Sequence, residues 1–241
     1  MAESSDYSSR PLNRVFTDVP KKYDLINRLF TWRLDELWRI KASTAVMKGN
    51  PERFMDLCTG TGDLAIRIAG MRKEKMEITG YDFSQPMLEI AKVKAEKAGQ
   101  ADISFIHGDA ASMPFPDHHF DVIGISFAFR NLTYKNYDAP RFLREISRVL
   151  KPGGHFVIVE SSQPKNGLVK GLFGFYTRWI VYPLGSWISG NKPAYKYLSS
   201  SVINYYTPEE VCDLLKPYGF REVIFQRLTG GIAAVHVAVK G

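Results

Sequence analysis

Between residues 54 and 159 the chain alternates, at nearly constant spacing, between short apolar runs and longer amphipathic ones, and few architectures accept that rhythm. Strand-like runs fall at 54–57, 77–81, 103–106, 122–126 and 155–159. Helical runs fall at 64–72, 86–98 and about 140–150, the last closed by Lys151-Pro152-Gly153-Gly154. Strands separated by helices pair in parallel, because only a crossover of that length returns the chain to the same end of a sheet. Beyond a helical run at 208–216, the runs 223–228 and 233–239 are linked only by Thr229-Gly230-Gly231, which suits an antiparallel hairpin at the sheet edge. The expected fold is α/β, and 241 residues suffice for one large domain or at most two small ones.

Two segments lie outside this rhythm. From 21 to 47, Tyr23, Ile26, Leu29, Phe30, Leu34, Leu37 and Trp38 recur at threes and fours, which predicts an amphipathic helix packed on the core, with a lid as the alternative. From about 161 to 207 there is no Asp or Glu, while Lys165, Lys170, Arg178, Lys192 and Lys196 stand among Phe173, Phe175, Tyr176, Trp179, Tyr182, Trp187, Tyr195 and Tyr197. This inserted cap either packs on the sheet or meets an anionic membrane surface, a large apolar ligand or nucleic acid. The net charge of +7 fits an anionic partner but also fits diffuse solvation by lysine.

Cys58 and Cys212 form no C-x-x-C pair, so neither a disulfide framework nor a thiolate metal site is expected. Residues 1–14 read as a disordered lead without the apolar core of a signal peptide, and 15–241 as a single domain. No stretch approaches the roughly 18 apolar residues of a membrane span, and a cytoplasmic location is expected.

The first strand runs into Asp56-Leu57-Cys58-Thr59-Gly60-Thr61-Gly62-Asp63. Gly60 to Ala65 satisfies G-x-G-x-x-A, and Asp82 follows at the end of the second strand, as in dinucleotide folds. A diphosphate, however, would lie beside two carboxylates, Asp56 and Asp63, with only the helix end in compensation. A ligand with adenosine at one end and a cation at the other fits better, and S-adenosylmethionine is one. Gly60, Thr61 and Gly62 would let its methionyl part lie against the main chain. Asp56 or Asp63 would face its ammonium, and Asp82, with Phe83 beside it, would accept the ribose hydroxyls. Taken singly, Asp63 also reads as a helix-terminus charge and Asp82 as a strand-end cap. After the third strand, Asp109 and the Ala110 amide suit the adenine, and Ser126 ends the fourth strand at the same edge.

The stretches DLCTGTGDLAI, GYDFSQPMLEIA, GDAASMPFPDHHFD, FAFRN and REISRVLKPGG together resemble the class I methyltransferases. KKYDLINRLFTWRLDELWR, Phe129-Arg130-Asn131, Tyr195-Lys196-Tyr197-Leu198 and LTGGIAAVHVAVKG are similar, more narrowly, to the quinone C-methyltransferases of menaquinone and ubiquinone synthesis. The resemblance implies a Rossmann-like seven-stranded sheet with the last strand antiparallel, N-terminal helices and an inserted cap. It implies S-adenosylmethionine at Thr61, Asp82, Asp109, Ala110 and Ser126, and a polyprenylated quinol, most simply demethylmenaquinol, rather than nucleic acid. Under it the cap gathers an isoprenoid tail from an anionic membrane that the enzyme touches peripherally; a homodimer is left open. Two departures stand out: Ala128-Phe129 replaces the family's glycine-leucine, and Leu198-Ser199-Ser200-Ser201 replaces its Leu-Pro-Glu-Ser. The second removes a glutamate, so no acid or base is assigned there.

Methylation at a ring carbon requires a quinol whose hydroxyl has lost its proton, in line with a methyl sulfonium in a dry pocket. A guanidinium offers donors only, so Arg130 is expected to stabilise the phenolate, unless it is merely ion-paired to Glu145 or Glu160. Asn131 would orient the ring or a water, and Tyr23 would bond a quinol oxygen, core packing being its alternative. The histidines make no evident metal set or triad.

Overall fold

The computed structural model describes residues 30–48 and 50–241, with backbone alone at Ser189 and Ala194. Seven strands among these residues form one sheet: β1 (Arg53–Leu57), β2 (Glu77–Asp82), β3 (Ser104–His107), β4 (Phe120–Ser126), β5 (Leu150–Ser161), β6 (Phe220–Leu228) and β7 (Ala233–Lys240). Their order is β3-β2-β1-β4-β5-β7-β6. The first five are parallel, and β7 runs antiparallel between β5 and β6. The hairpin at 229–231 therefore lies at the sheet edge as expected, with β6 outermost. The order reverses beside β1, so the carboxyl ends of β1 and β4 flank the crevice where open α/β sheets take ligands.

Helices cover both faces. Helices α1 (Leu34–Met47) and α2 (Asp63–Met71) bury Trp38, Val46, Leu64 and Ile68 on one side, where the end of α3 (Gln85–Lys97) adds Ala95. On the other, α5 (Ala139–Val149), which follows the short α4 (Phe129–Thr133), buries Phe142, Leu143 and Ile146. Helix α9 (Pro208–Leu215) joins that face and starts with a capping box between Thr207 and Glu210. β1 and β4 have helices on both faces, which is why their sequences are apolar almost throughout.

Three expectations need correction. The helical run at 21–47 is not one helix: Trp32 and Arg33 have left-handed backbone (φ 54° and 62°), and α1 begins only at Leu34. The periodicity also placed Leu37 on the apolar face, yet Leu37 is 58% exposed and the buried stripe is Asp35, Trp38, Arg39, Ala42, Ser43 and Val46. Residues 1–29, with Tyr23, lie outside the described residues. Finally, Lys151 to Gly154 lies within β5, since Leu150 already pairs with Phe120 and His155 resumes with Val122. The extra residues form a bulge at which a Cβ on Gly154 would meet the Asp121 carbonyl oxygen at 2.9 Å.

Between β5 and α9 the chain forms α6 (Gly167–Tyr176), a π turn at Thr177–Val181, α7 (Tyr182–Ser189) and α8 (Lys192–Ile203). Gly185 lets α7 and α8 touch: a Cβ there would lie 2.2 Å from the Tyr195 ring. Tyr176 donates its hydroxyl to the Phe30 carbonyl at 2.9 Å and accepts from Trp32 Nε1 at 3.1 Å, tying this cap to the start of α1. Among the described residues no helix is long and apolar enough to cross a membrane.

Candidate functional site

The carboxyl ends of β1 to β4 converge on one cleft. Cys58, after β1, and Phe127, after β4, both have left-handed backbone (φ 54° and 58°), a strained state for side chains of this size that tends to mark functional turns. Asp56 is buried under the glycine loop. Its Oδ2 accepts from the Thr59 hydroxyl at 2.6 Å and the Ala65 amide at 3.0 Å, while Oδ1 is buried without a hydrogen-bond partner. Burial pushes its carboxyl up to about 7, against the lowering effect of those two donors and of Arg39.

Asp82 closes the opposite wall. Its Oδ2 accepts from the Gly60 amide and its Oδ1 from the Ser84 amide, both at 2.8 Å. Each oxygen keeps a lone pair, the pattern that a ribose diol can use. Burial raises its carboxyl, with the Ser84 and Gly60 amides opposing. Beyond β3, the Asp109 carbonyl accepts from the Tyr81 hydroxyl at 3.2 Å and its Oδ1 from the Ala111 amide at 2.8 Å, which leaves Oδ2 and the buried Ala110 at the cleft rim. Arg148 holds the rest of this loop, donating to the carbonyls of Met113 and Phe115 at 3.0 and 2.9 Å. The Phe83 carbonyl is bonded by His107 Nε2 at 2.8 Å.

Gly62 caps α2 with φ 83°, and a Cβ there would meet Ala91 at 3.0 Å. Asp63, which follows it, is engaged by Lys94 at 2.5 Å and by Arg39 at 3.7 Å; Lys94 also donates to the Thr61 hydroxyl at 3.0 Å. Of the two carboxylates expected to meet an ammonium, Asp63 is thus already closely paired to Lys94. Asp56 retains an uncommitted oxygen.

A cavity of about 320 Å³ opens beside this cleft, between the cap, α1 and the ends of β4 and β5. Its walls include Trp38, Phe127, Phe173 and Val181, and its charged lining is Asp35, Arg39, Arg130 and Glu160. Arg130 and Glu160 are both buried. The Arg130 amide donates to Glu160 Oε2 at 3.1 Å, its Nη1 to Ser201 Oγ at 2.8 Å, and its Nε stands 3.9 Å from Glu160 Oε1 without a hydrogen bond. The partner acid is therefore Glu160, while Glu145 is held by Arg148 at 2.7 Å. Ser199, where the resemblance has a proline, is buried in the same wall with no partner for its hydroxyl.

The structure places Asp56, Gly60, Thr61, Gly62, Asp63, Asp82, Asp109, Ala110 and Ser126 at or just beyond the carboxyl ends of β1 to β4, and Arg130 in the wall of the adjoining cavity. Asn131 follows on α4 but is not among the residues lining that cavity. Sequence reasoning missed Arg39, Asp35 and Lys94. The available signal was a pair of opposite charges at i and i+4, Asp35 and Arg39, whose spacing set them on the buried stripe of α1.

Comparison with known proteins bears on family and fold. Residues 4–240 match the model of the ubiE/COQ5 methyltransferase family. A demethylmenaquinone methyltransferase of Thermotoga maritima is 40% identical over 225 residues, 93% of each chain. One from Thermus thermophilus is 40% identical over 92% of this chain and 98% of its own. A crystal structure of a SAM-dependent methyltransferase from Aquifex aeolicus superposes with a TM-score of 0.58, at 19% identity, over 96% of this chain and 94% of that one.

Proposed function

The chain belongs to the ubiE/COQ5 methyltransferase family, and on that premise we infer that it methylates a ring carbon of demethylmenaquinol, using S-adenosylmethionine. The observation that carries this reading is the junction of two compartments. A polar cleft suited to an adenosine and an amino-acid end meets an apolar cavity that holds a buried guanidinium, and Arg39 and Phe127 stand where they join.

The cofactor, when bound, supplies a methyl group on a cationic sulfur. Asp82 would hold its ribose through the lone pairs left over from the Gly60 and Ser84 amides. Asp109 and the Ala110 amide would meet the adenine. Asp56 Oδ1, buried and unpartnered, would take the ammonium. In the cavity, Arg130 would donate to the quinol oxygen as it loses its proton, and aromatic walls keep water away while that charge lasts. Asn131 lies one residue beyond and would act through the placement of α4. The demethylated precursor of ubiquinone is the competing acceptor, since no residue named here reads one or two fused rings.

The cap supports a peripheral membrane contact, because it is free of acidic residues and carries Trp179, Leu168 and Trp187 outward. A polyprenylated acceptor would then enter the cavity from the lipid surface. Methyl transfer to short-chain demethylmenaquinol and to the benzoquinol analogue, measured side by side with purified protein, tests the function. Transfer to neither would refute it, and preference for the benzoquinol would move the chain to the ubiquinone branch.

A further inference from the structure

We propose that Arg39 is the receptor for the carboxylate at the amino-acid end of the methyl donor, an inference that rests on the cofactor reading above. The amino-acid end of that cofactor is a zwitterion, so a site that offers only acids to it is incomplete. Among the charged side chains at the junction of cleft and cavity, Lys94 is closely paired to Asp63 and also bonds Thr61. Arg39 is held differently.

Its Nη1 is 3.5 Å from Asp35 and 3.7 Å from Asp63, and its Nε is 3.3 Å from Ser126 Oγ. Charge-assisted pairs normally close to about 2.7–2.9 Å, so these contacts position the guanidinium without saturating it. Its Nη2 makes no hydrogen bond among the described residues. The guanidinium also lies over the Phe127 ring, 5.5 Å from its centroid, a cation–π contact that helps to hold it in place. Arg39 is buried and lines the cavity. The Arg39 side chain keeps 10% of its surface exposed, so a carboxylate seated on Nη2 would take the place of water there.

The neighbours agree with this assignment. Ser126, which Arg39 bonds, ends β4 at the cleft edge, and Asp63, which it faces, opens α2 directly after the glycine loop. Asp63 is itself neutralised by Lys94, so a carboxylate bound to Arg39 would meet the guanidinium and the positive N-terminal end of α2 rather than an unpaired acid. Asp35, bonded by the Thr31 hydroxyl at 2.6 Å, positions Arg39 from one turn earlier in α1.

The test is calorimetric titration of the full chain with S-adenosylhomocysteine and with the same thioether nucleoside lacking its carboxylate. The wild-type protein is expected to bind the carboxylate-bearing ligand about a hundredfold more tightly. Arg39→Ala is expected to remove that preference, weakening S-adenosylhomocysteine about a hundredfold while leaving the decarboxylated ligand within about threefold. Arg39→Lys should keep part of the preference, because it keeps charge and loses the fork. If Arg39→Ala does not fold, Arg39→Gln carries the same comparison. Equal weakening of both ligands, or an effect confined to the KM for the quinol, would overturn the proposal. A wild-type protein that binds neither nucleoside would overturn the cofactor reading itself.

Discussion

Glu160 grips Arg130 from both ends: its Oε2 accepts the Arg130 backbone N–H at 3.1 Å, and its Oε1 stands 3.9 Å from the guanidinium Nε. With both residues buried in the cavity wall, the pair holds a cation against the space that the quinol would fill. Arg130→Ala is expected to lower kcat at least about a hundredfold, because phenolate stabilisation is lost, and to leave cofactor affinity unchanged. Full turnover at neutral pH would contradict the role. Glu160→Gln leaves a buried guanidinium without its counter-charge and should cost about 3 kcal/mol of stability, readable in a urea melt.

Asp56 makes the apo protein sensitive to pH in an unusual direction. Its carboxyl is raised from 3.8 to about 7 by burial, so the folded state resists losing the proton that the unfolded chain gives up. Its contribution is therefore fully present below pH 3.8 and is lost as pH rises through about 7. Asp82, also raised by burial, adds to the same trend. Apo Tm should fall between pH 5 and pH 8 by several degrees, and Asp56→Asn should flatten the profile by raising Tm at the upper end. A cationic ligand favours the ionised carboxylate, so S-adenosylmethionine is expected to raise Tm more at pH 8 than at pH 5. An Asp56→Asn profile parallel to wild type would refute this account.

Gly62 combines φ 83° with Ala91 3.0 Å and Phe105 3.3 Å from where its Cβ would be. Gly62→Ala meets both penalties, left-handed backbone and a clash with α3, and should destabilise by about 1–3 kcal/mol. Because the Gly62 amide and the turn around it set the start of α2, cofactor affinity should fall as well, by about tenfold or more. Gly99, with φ 70° and nothing near its missing Cβ, provides the control: alanine there bears the backbone strain alone and spares the cofactor.

The alternation of strands and helices carried most of the fold, because a buried parallel sheet demands continuous apolar runs and long crossovers, and both are local features. The placement of the proposed cofactor residues was equally legible, since they sit at strand ends and in one glycine turn, where sequence adjacency is spatial adjacency. Arg39 was not, because its meaning depends on which way α1 rotates. Leu37 and Trp38 together suggested a face that tertiary packing turned so that Trp38 meets Phe127 while Leu37 points to solvent. The pairing of Arg130 with Glu160 rather than Glu145 likewise depended on a contact thirty residues away across the β4–β5 junction.

The cap supplies the last prediction. Trp187 is 82% exposed, Leu168 72% and Trp179 65%, in a stretch whose charged residues are all lysine or arginine. Large apolar side chains in water are costly, and those among basic residues fit a surface that is apolar within and anionic at its face. Trp179→Ser with Trp187→Ser is expected to reduce co-sedimentation with phosphatidylglycerol vesicles about fivefold or more. Neither residue lines the cavity, so turnover on a short-chain quinol in detergent-free buffer should stay within about twofold. Binding of wild-type protein should weaken as salt rises and should be weaker on vesicles of phosphatidylcholine alone. Vesicle binding that ignores both the tryptophans and the lipid charge would place the contact elsewhere on the protein.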